Sequence, residues 1–201
     1  MVLFDESGFM LQPLVRRTWA ERGKTPILDQ WDRRDRLSVI TALVLSPKRR
    51  RIRMVFRLLD HNAKAEDFIW FLNDLRKELG RKIWVVWDNL GAHRKAENSL
   101  RAFRCPWVHF ERLPPYAPQL NPVEHVWTTA KWGALANTPA DDITCLQNDV
   151  QTALDNQATE QSILRGHFHW AGLDLKLSLG ASNRASDEWH CRDRKVSQGK
   201  D

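Results

Sequence analysis

Apolar and polar positions along the chain fall into two rhythms. Val2, Leu3 and Phe4 form a short apolar run ending at Asp5, which predicts a buried strand almost at the first residue. Residues 37–45 (LSVITALVL) and 52–59 (IRMVFRLL) are longer strand-like runs. Ser46, Pro47 and Lys48 supply turn chemistry between them, so the pair predicts an antiparallel hairpin. Past Asn62, a helix N-cap by residue type, Phe68, Ile69, Leu72, Leu75 and Leu79 recur at three- and four-residue steps until Gly80 stops the helix. Ile83 to Trp87 is then an unbroken apolar run, too short for a helix, and predicts a central strand covered on both faces. It ends at Asp88, where Asn89, Leu90 and Gly91 turn the chain.

A polar helix is expected over 94–103 and a strand over 107–113 (WVHFERL). A helix between two strands marks a parallel crossover unit. Pro114, Pro115, Tyr116, Ala117 and Pro118 make a stiff loop, after which Asn121 caps a helix with Pro122 in its first position. Val123, Val126, Trp127 and Ala130 form the apolar stripe of that helix. A further helix follows Ile143, Leu146, Val150 and Leu154, and a last one covers 159–170. Residues 16–28 are polar and turn-rich, a loop or edge hairpin, and from Asp174 onward the chain loses periodicity, as a loose tail does. The order predicts an α/β fold: a mixed sheet of about five strands, an antiparallel hairpin plus parallel strands, flanked by helices.

With 201 residues, 42% hydrophobic and 28% charged, the chain suits one soluble domain with a tail. The formal charge of +6 suits a polyanionic partner such as nucleic acid. Ten Trp, mostly within apolar runs, point to core packing. Cys105, Cys145 and Cys191 lie far apart with no CxxC spacing, which supports neither a zinc site nor a disulfide framework and suits a reducing, cytoplasmic compartment. No stretch approaches the ~18 apolar residues of a membrane span, and Asp5 and Glu6 interrupt any signal peptide.

Three acids occupy chemically useful positions: Asp5 ending the first strand, Asp88 ending the central strand, and Glu124 in the first turn of the helix after the proline loop. In such sheets ligands sit beyond the carboxyl ends of the strands. If the two strands are neighbours, Asp5 and Asp88 share an edge, and a helix crossing that edge brings Glu124 alongside. Converging carboxylates without Lys or Arg in their motifs repel one another, and Mg²⁺, which prefers oxygen ligands, relieves this. Turn opening serves Asp88 as well, and a capping box from Asn121 serves Glu124. Glu6 points to the other face of its strand, so Asp5 is preferred. His93 and His125 either contact DNA phosphate, order a carboxylate or pack. Tyr116 either touches DNA or packs its loop, and Arg16, Arg17, Arg33, Arg34, Arg36 and the hairpin-tip cluster Lys48, Arg49, Arg50, Arg51 and Arg53 are either phosphate contacts or solvated charge.

Taken jointly, LFDESGF (3–9), VVWDNLGAH (85–93) and LPPYAPQLNPVEHVW (113–127) resemble the three catalytic boxes of a DDE transposase. The likeness is to insertion-sequence transposases related to the mariner superfamily, and it extends over 1–173 with TWAERGKTP (18–26) and EDFIWFL (66–72). Asp88 and Glu124 have 35 residues between them, within that family's habit. The resemblance implies a three-layer RNase H-like catalytic domain. It also implies a metal triad of Asp5, Asp88 and Glu124 holding two Mg²⁺ or Mn²⁺ ions, and cleavage and strand transfer on double-stranded DNA, both element ends and target. A dimer on DNA and a nucleoid-associated cytoplasmic location go with it. The chain departs from the pattern in having no helix-turn-helix module before its first strand. A DNA-binding half supplied by an upstream reading frame, or a truncated copy, would account for that. An inactive DNA-binding or assembly remnant and a generic RNase H-like nuclease or resolvase are the alternatives in function.

Overall fold

Two apolar faces of one sheet organise the chain. The structure, a computed structural model, describes residues 1–12, 14–28, 35–48 and 50–175. Its strands are β1 (Val2–Met10), β2 (Arg36–Leu45), β3 (Ile52–Leu59), β4 (Ile83–Trp87) and β5 (Val108–Arg112). The helices are α1 (Ala65–Leu79), α2 (Gly91–Ala102), α3 (Pro122–Thr129), α4 (Ile143–Thr159) and α5 (Gln161–Trp170). A 3-10 turn, Pro118–Leu120, precedes α3, and a π-helical turn, Ala130–Ala134, extends it.

The strand order is β3-β2-β1-β4-β5, antiparallel through β3, β2 and β1 and parallel through β1, β4 and β5. The predicted hairpin and crossover are both present, and the fold is the expected RNase H-like mixed five-stranded sheet flanked by helices. The middle strand is β1, however, and not the 83–87 run. Nor does β1 stop at Asp5: it pairs with β2 from Val2↔Val44 to Met10↔Arg36. Those backbone pairs carry the strand through a polar stretch that reads as a break in sequence.

Alternation along β1 divides the core. Val2 and Phe4 join α1 and α2 through Phe68, Leu72, Trp87 and Leu100, while Leu3 and Phe9 join α3, α4 and α5 through Val126, Trp127, Val150 and Leu164. The second layer of helices lies over β1 to β3 and leaves that face of β4 open, so Trp84 is exposed and stacks on His109 of β5 at 4.7 Å. The expectation of cover on both faces of this strand fails there. Trp19, Trp70, Trp132 and Trp170 are also exposed, against the core role composition suggested, because they fall on an irregular segment and on outward helix faces.

Helix ends follow local chemistry. The cap of α1 is Lys64, not Asn62; its amide donates to Asp67 Oδ2 at 2.8 Å. Gly80 ends α1 with φ of 61°, a left-handed conformation cheap only for glycine, its N–H donating to the Arg76 carbonyl. No helix of the described residues is long and apolar enough to cross a membrane. The expected tail lies outside the described residues from 176 onward.

Candidate active site

The site grows from the register between β1 and β4. Val2 pairs with Val85 and Leu3 with Val86, and the same offset carried two residues further sets Asp5 beside Asp88. There β4 ends, and the free flank of β1 is taken by a side chain: Asn121 Nδ2 donates to the Phe4 carbonyl at 3.2 Å. Asn121 also caps α3, its Oδ1 accepting from the Val123 amide at 3.2 Å. One residue therefore fixes the start of α3 against the strand that carries Asp5, with Glu124 in the first turn.

Asp5 is 8% exposed and accepts from the Trp127 indole N–H at 3.0 Å. Burial, reinforced by the charges of Glu124, Glu6 and Asp88 and opposed by that indole bond, pushes its carboxyl up to about 8. Glu124 is half-buried, and burial raises its pKa too; Lys131 opposes the shift while Asp88 and Glu6 add to it. Asp5 thus feels both Glu124 and Asp88, and Glu124 feels Asp88. Sequence reasoning missed Lys131, two helical turns past Glu124, whose Nζ donates to Ser7 Oγ at 2.7 Å beside Asp5. Burial lowers the Lys131 pKa, and the charges of Glu124 and Asp5 hold it up. The site is not free of internal cations, as its motifs alone suggest.

Asp88 is held differently. Its Oδ1 accepts from the Leu90 amide at 2.9 Å and meets His93 Nδ1 at 2.6 Å. The His93 bond, with help from the Leu90 amide and against partial burial, keeps its carboxyl below the ordinary range. His93 Nε2 meets Glu6 Oε2 at 2.8 Å. Burial alone would depress the imidazole, but its bonds to Asp88 and Glu6 and their charges prevail and lift it to about 9. Glu6 does leave β1 on the opposite face from Asp5, as alternation requires.

The expected DNA contacts fare unequally. His93 is 0% exposed, so it does not face a phosphate; it packs against Phe4, Phe68 and Trp87 and bonds two carboxylates. His125 packs on Trp170, ring centroids 5.6 Å apart, on the α5 side of α3. Tyr116 is 102% exposed in the proline loop, at φ of 58°. Arg16 Nη1 donates to the Trp132 carbonyl at 2.7 Å, and its amide to Asn137 Oδ1, which ties the irregular segment to the turn after α3. Arg17 and Arg36 are exposed. Lys48, Arg50 and Arg51 are exposed too, but at the hairpin tip by the amino end of β1, where the Leu45 amide bonds the Met1 carbonyl, away from the carboxyl ends that carry the acids. Arg53 pairs with Glu78. Arg33, Arg34 and Arg49 lie outside the described residues.

The donor set fits a hard divalent cation: oxygen ligands only, with Asp5 and Glu124 desolvated and raised further by neighbouring carboxylates. Among the described residues no group of three His, Cys, Asp or Glu side chains stands positioned to hold a metal ion.

A family model described as DDE superfamily endonuclease matches residues 1–147. The chain belongs to that family. No curated protein matches the sequence. Among solved structures, this DDE endonuclease chain is similar to the Mos1 transposase paired-end complex with left transposon end, at 16% identity and a TM-score of 0.58, covering 84% of this chain and 51% of that one. The mariner Mos1 paired-end complex with Mg matches at 16% identity and a TM-score of 0.58 (86% and 52% covered), and the complex with Mn at 17% and 0.56 (86% and 52%). At such identities the likeness establishes a common fold. The chain spans about half the length of those transposase chains.

Proposed function

We propose that this DDE endonuclease is the catalytic domain of an insertion-sequence transposase, cleaving and joining double-stranded DNA with two Mg²⁺ or Mn²⁺ ions. The observation that carries the reading is the convergence of three acids from β1, the end of β4 and α3: the charges of Glu124 and Asp88 both act on buried Asp5, and that of Asp88 acts on Glu124. Bound divalent cations would supply the Lewis acidity that activates a water or 3′-hydroxyl and stabilises the leaving oxygen of an in-line displacement.

The residues of the chain prepare for this. Trp127 holds one Asp5 oxygen and leaves the other for a ligand. Asp88, with Oδ1 engaged, offers Oδ2. Asn121 sets the angle of Glu124 through the cap. Lys131 tempers the acidic charge before any cation arrives, and the exposed Arg17 and Tyr116 face solvent where a DNA backbone can approach. The Mos1 neighbours, solved with transposon-end DNA and with Mg or Mn, support DNA and divalent metal as the partners. A dimer on DNA, a DNA-binding half from an upstream frame and a nucleoid-associated location complete the proposal.

Nicking of supercoiled plasmid tests it. Wild type should nick only with Mg²⁺ or Mn²⁺, and Asp88→Asn should lose roughly a thousandfold in rate, since metal-held charge stabilisation is worth several kcal/mol. Equal rates for the two proteins would overturn the triad. Cleavage of element-end DNA without joined products would favour a plain nuclease, and no metal-dependent nicking at all would favour an assembly remnant.

A further inference from the structure

His93 sits at the centre of a construction that the triad does not require. Its ring lies flat on the Trp87 indole, 4.7 Å between centroids and 8° between planes, with Phe4 edge-on at 5.6 Å and Phe68 at 4.8 Å. These three walls hold the ring plane and leave its two nitrogens as the polar outlets. Both outlets meet carboxylates: Nδ1 faces Asp88 Oδ1 at 2.6 Å and Nε2 faces Glu6 Oε2 at 2.8 Å. Ionised carboxylates only accept hydrogen bonds, so this ring donates at both ends. It ties the far face of β1 to the end of β4, with His93 standing 87 positions from Glu6 in sequence.

We propose that His93 is a positioning residue for the metal site: anchored on Glu6, it fixes the Asp88 carboxyl so that Oδ1 is engaged and Oδ2 alone is presented to a cation. The same bond keeps Glu6, the acid next to Asp5 in the chain, turned away as a rival ligand. This rests on the reading of Asp88 as a metal ligand. Groups that orient a ligand in this way typically alter metal affinity about ten- to a hundredfold when removed. The Leu90 amide, which shares Asp88 Oδ1, reports the same positioning without any metal.

Two substitutions of the partly exposed anchor separate position from charge, and neither replaces the buried ring itself. Glu6→Ala removes the anchor, whereas Glu6→Gln removes the charge but keeps an oxygen for Nε2–H. The free Mn²⁺ signal in electron paramagnetic resonance measures affinity, Mg²⁺-dependent nicking gives rate and KM for DNA, and hydrogen exchange at the Leu90 amide is followed in metal-free protein. Glu6→Ala should weaken Mn²⁺ binding about ten- to a hundredfold, lower kcat with KM for DNA unchanged, and speed exchange at Leu90; Glu6→Gln should restore most of all three. Exchange at Leu90 unchanged in Glu6→Ala, or a Gln variant no better than Ala, would overturn the positioning role. Wild type that binds no Mn²⁺ and nicks no DNA would instead refute the metal-site reading, while the Leu90 exchange still decides whether His93 positions Asp88.

Discussion

Asp5 and Glu6 are consecutive carboxylates that leave β1 on opposite faces and meet opposite surroundings. Glu6 faces α2 and is bonded to an imidazole that shares its second nitrogen with Asp88. Asp5 faces α3, where a neutral indole N–H is its bond and Glu124 its strongest charged neighbour. In a desolvated setting a charge persists only where it is paired. The α2 face comes with its positive partner already built in, while among the described residues the α3 face has Lys131, bonded to Ser7, at its margin. On the function proposed above, this α3 face is the one that would take a metal ion.

Erasing Asp5 tests this contrast most severely. Asp5→Asn should abolish metal-dependent nicking, by roughly a thousandfold or more, yet stabilise the metal-free fold. The folded carboxyl ionises near 8 against an ordinary 3.8. From about pH 4 to pH 8 the fold therefore holds a proton that the unfolded chain releases, and stability drains away as pH rises through that window. Melting curves should coincide for wild type and variant near pH 4, and the variant should melt several degrees higher by pH 8. A constant offset across that range would refute the raised Asp5.

On the α2 side the balance should reverse, because there acids are paired. Glu97, 4% exposed, takes Arg101 at 2.9 Å and two nitrogens of Arg112 at 2.9 and 3.2 Å, and Arg112 goes on to Asn89 Oδ1. The two arginines are well exposed, so no buried charge is stranded when Glu97 is removed; Glu97→Ala should lose about 2 kcal/mol in urea unfolding, the worth of its charge-assisted hydrogen bonds. Asn121→Ala should cost about 1–2 kcal/mol, the cap plus the Phe4 carbonyl bond, and should slow nicking by moving Glu124. The smallest change is expected for Lys131→Met, a few-fold tighter Mn²⁺ binding in the absence of DNA, read by titration. Weaker binding would show that Lys131 is no substitute for the ion.

Much of this was legible in the chain. The β2–β3 turn, the five-residue β4, and Asn121 with Pro122 at the head of α3 each rest on contacts between near neighbours, which residue type announces. What stayed hidden depends on distant pairing. The polar letters Glu6, Ser7 and Gly8 read as the end of a strand, but β2 supplies partners for them out to Met10. His93 could be weighed only as one option among several, since its tie to Glu6 exists only once β1 lies beside β4. Lys131 did carry a clue, its two-turn spacing from Glu124, and Trp127 stood in the predicted stripe without any sign that its N–H would find Asp5.

Asn121 works as a hinge pin: one amide side chain grips both the floor that bears Asp5 and the rod that bears Glu124. The neighbouring Pro118–Leu120 turn bonds the Asn121 amide through the Pro118 carbonyl, so the proline loop is fastened to both acid-bearing elements through a single residue.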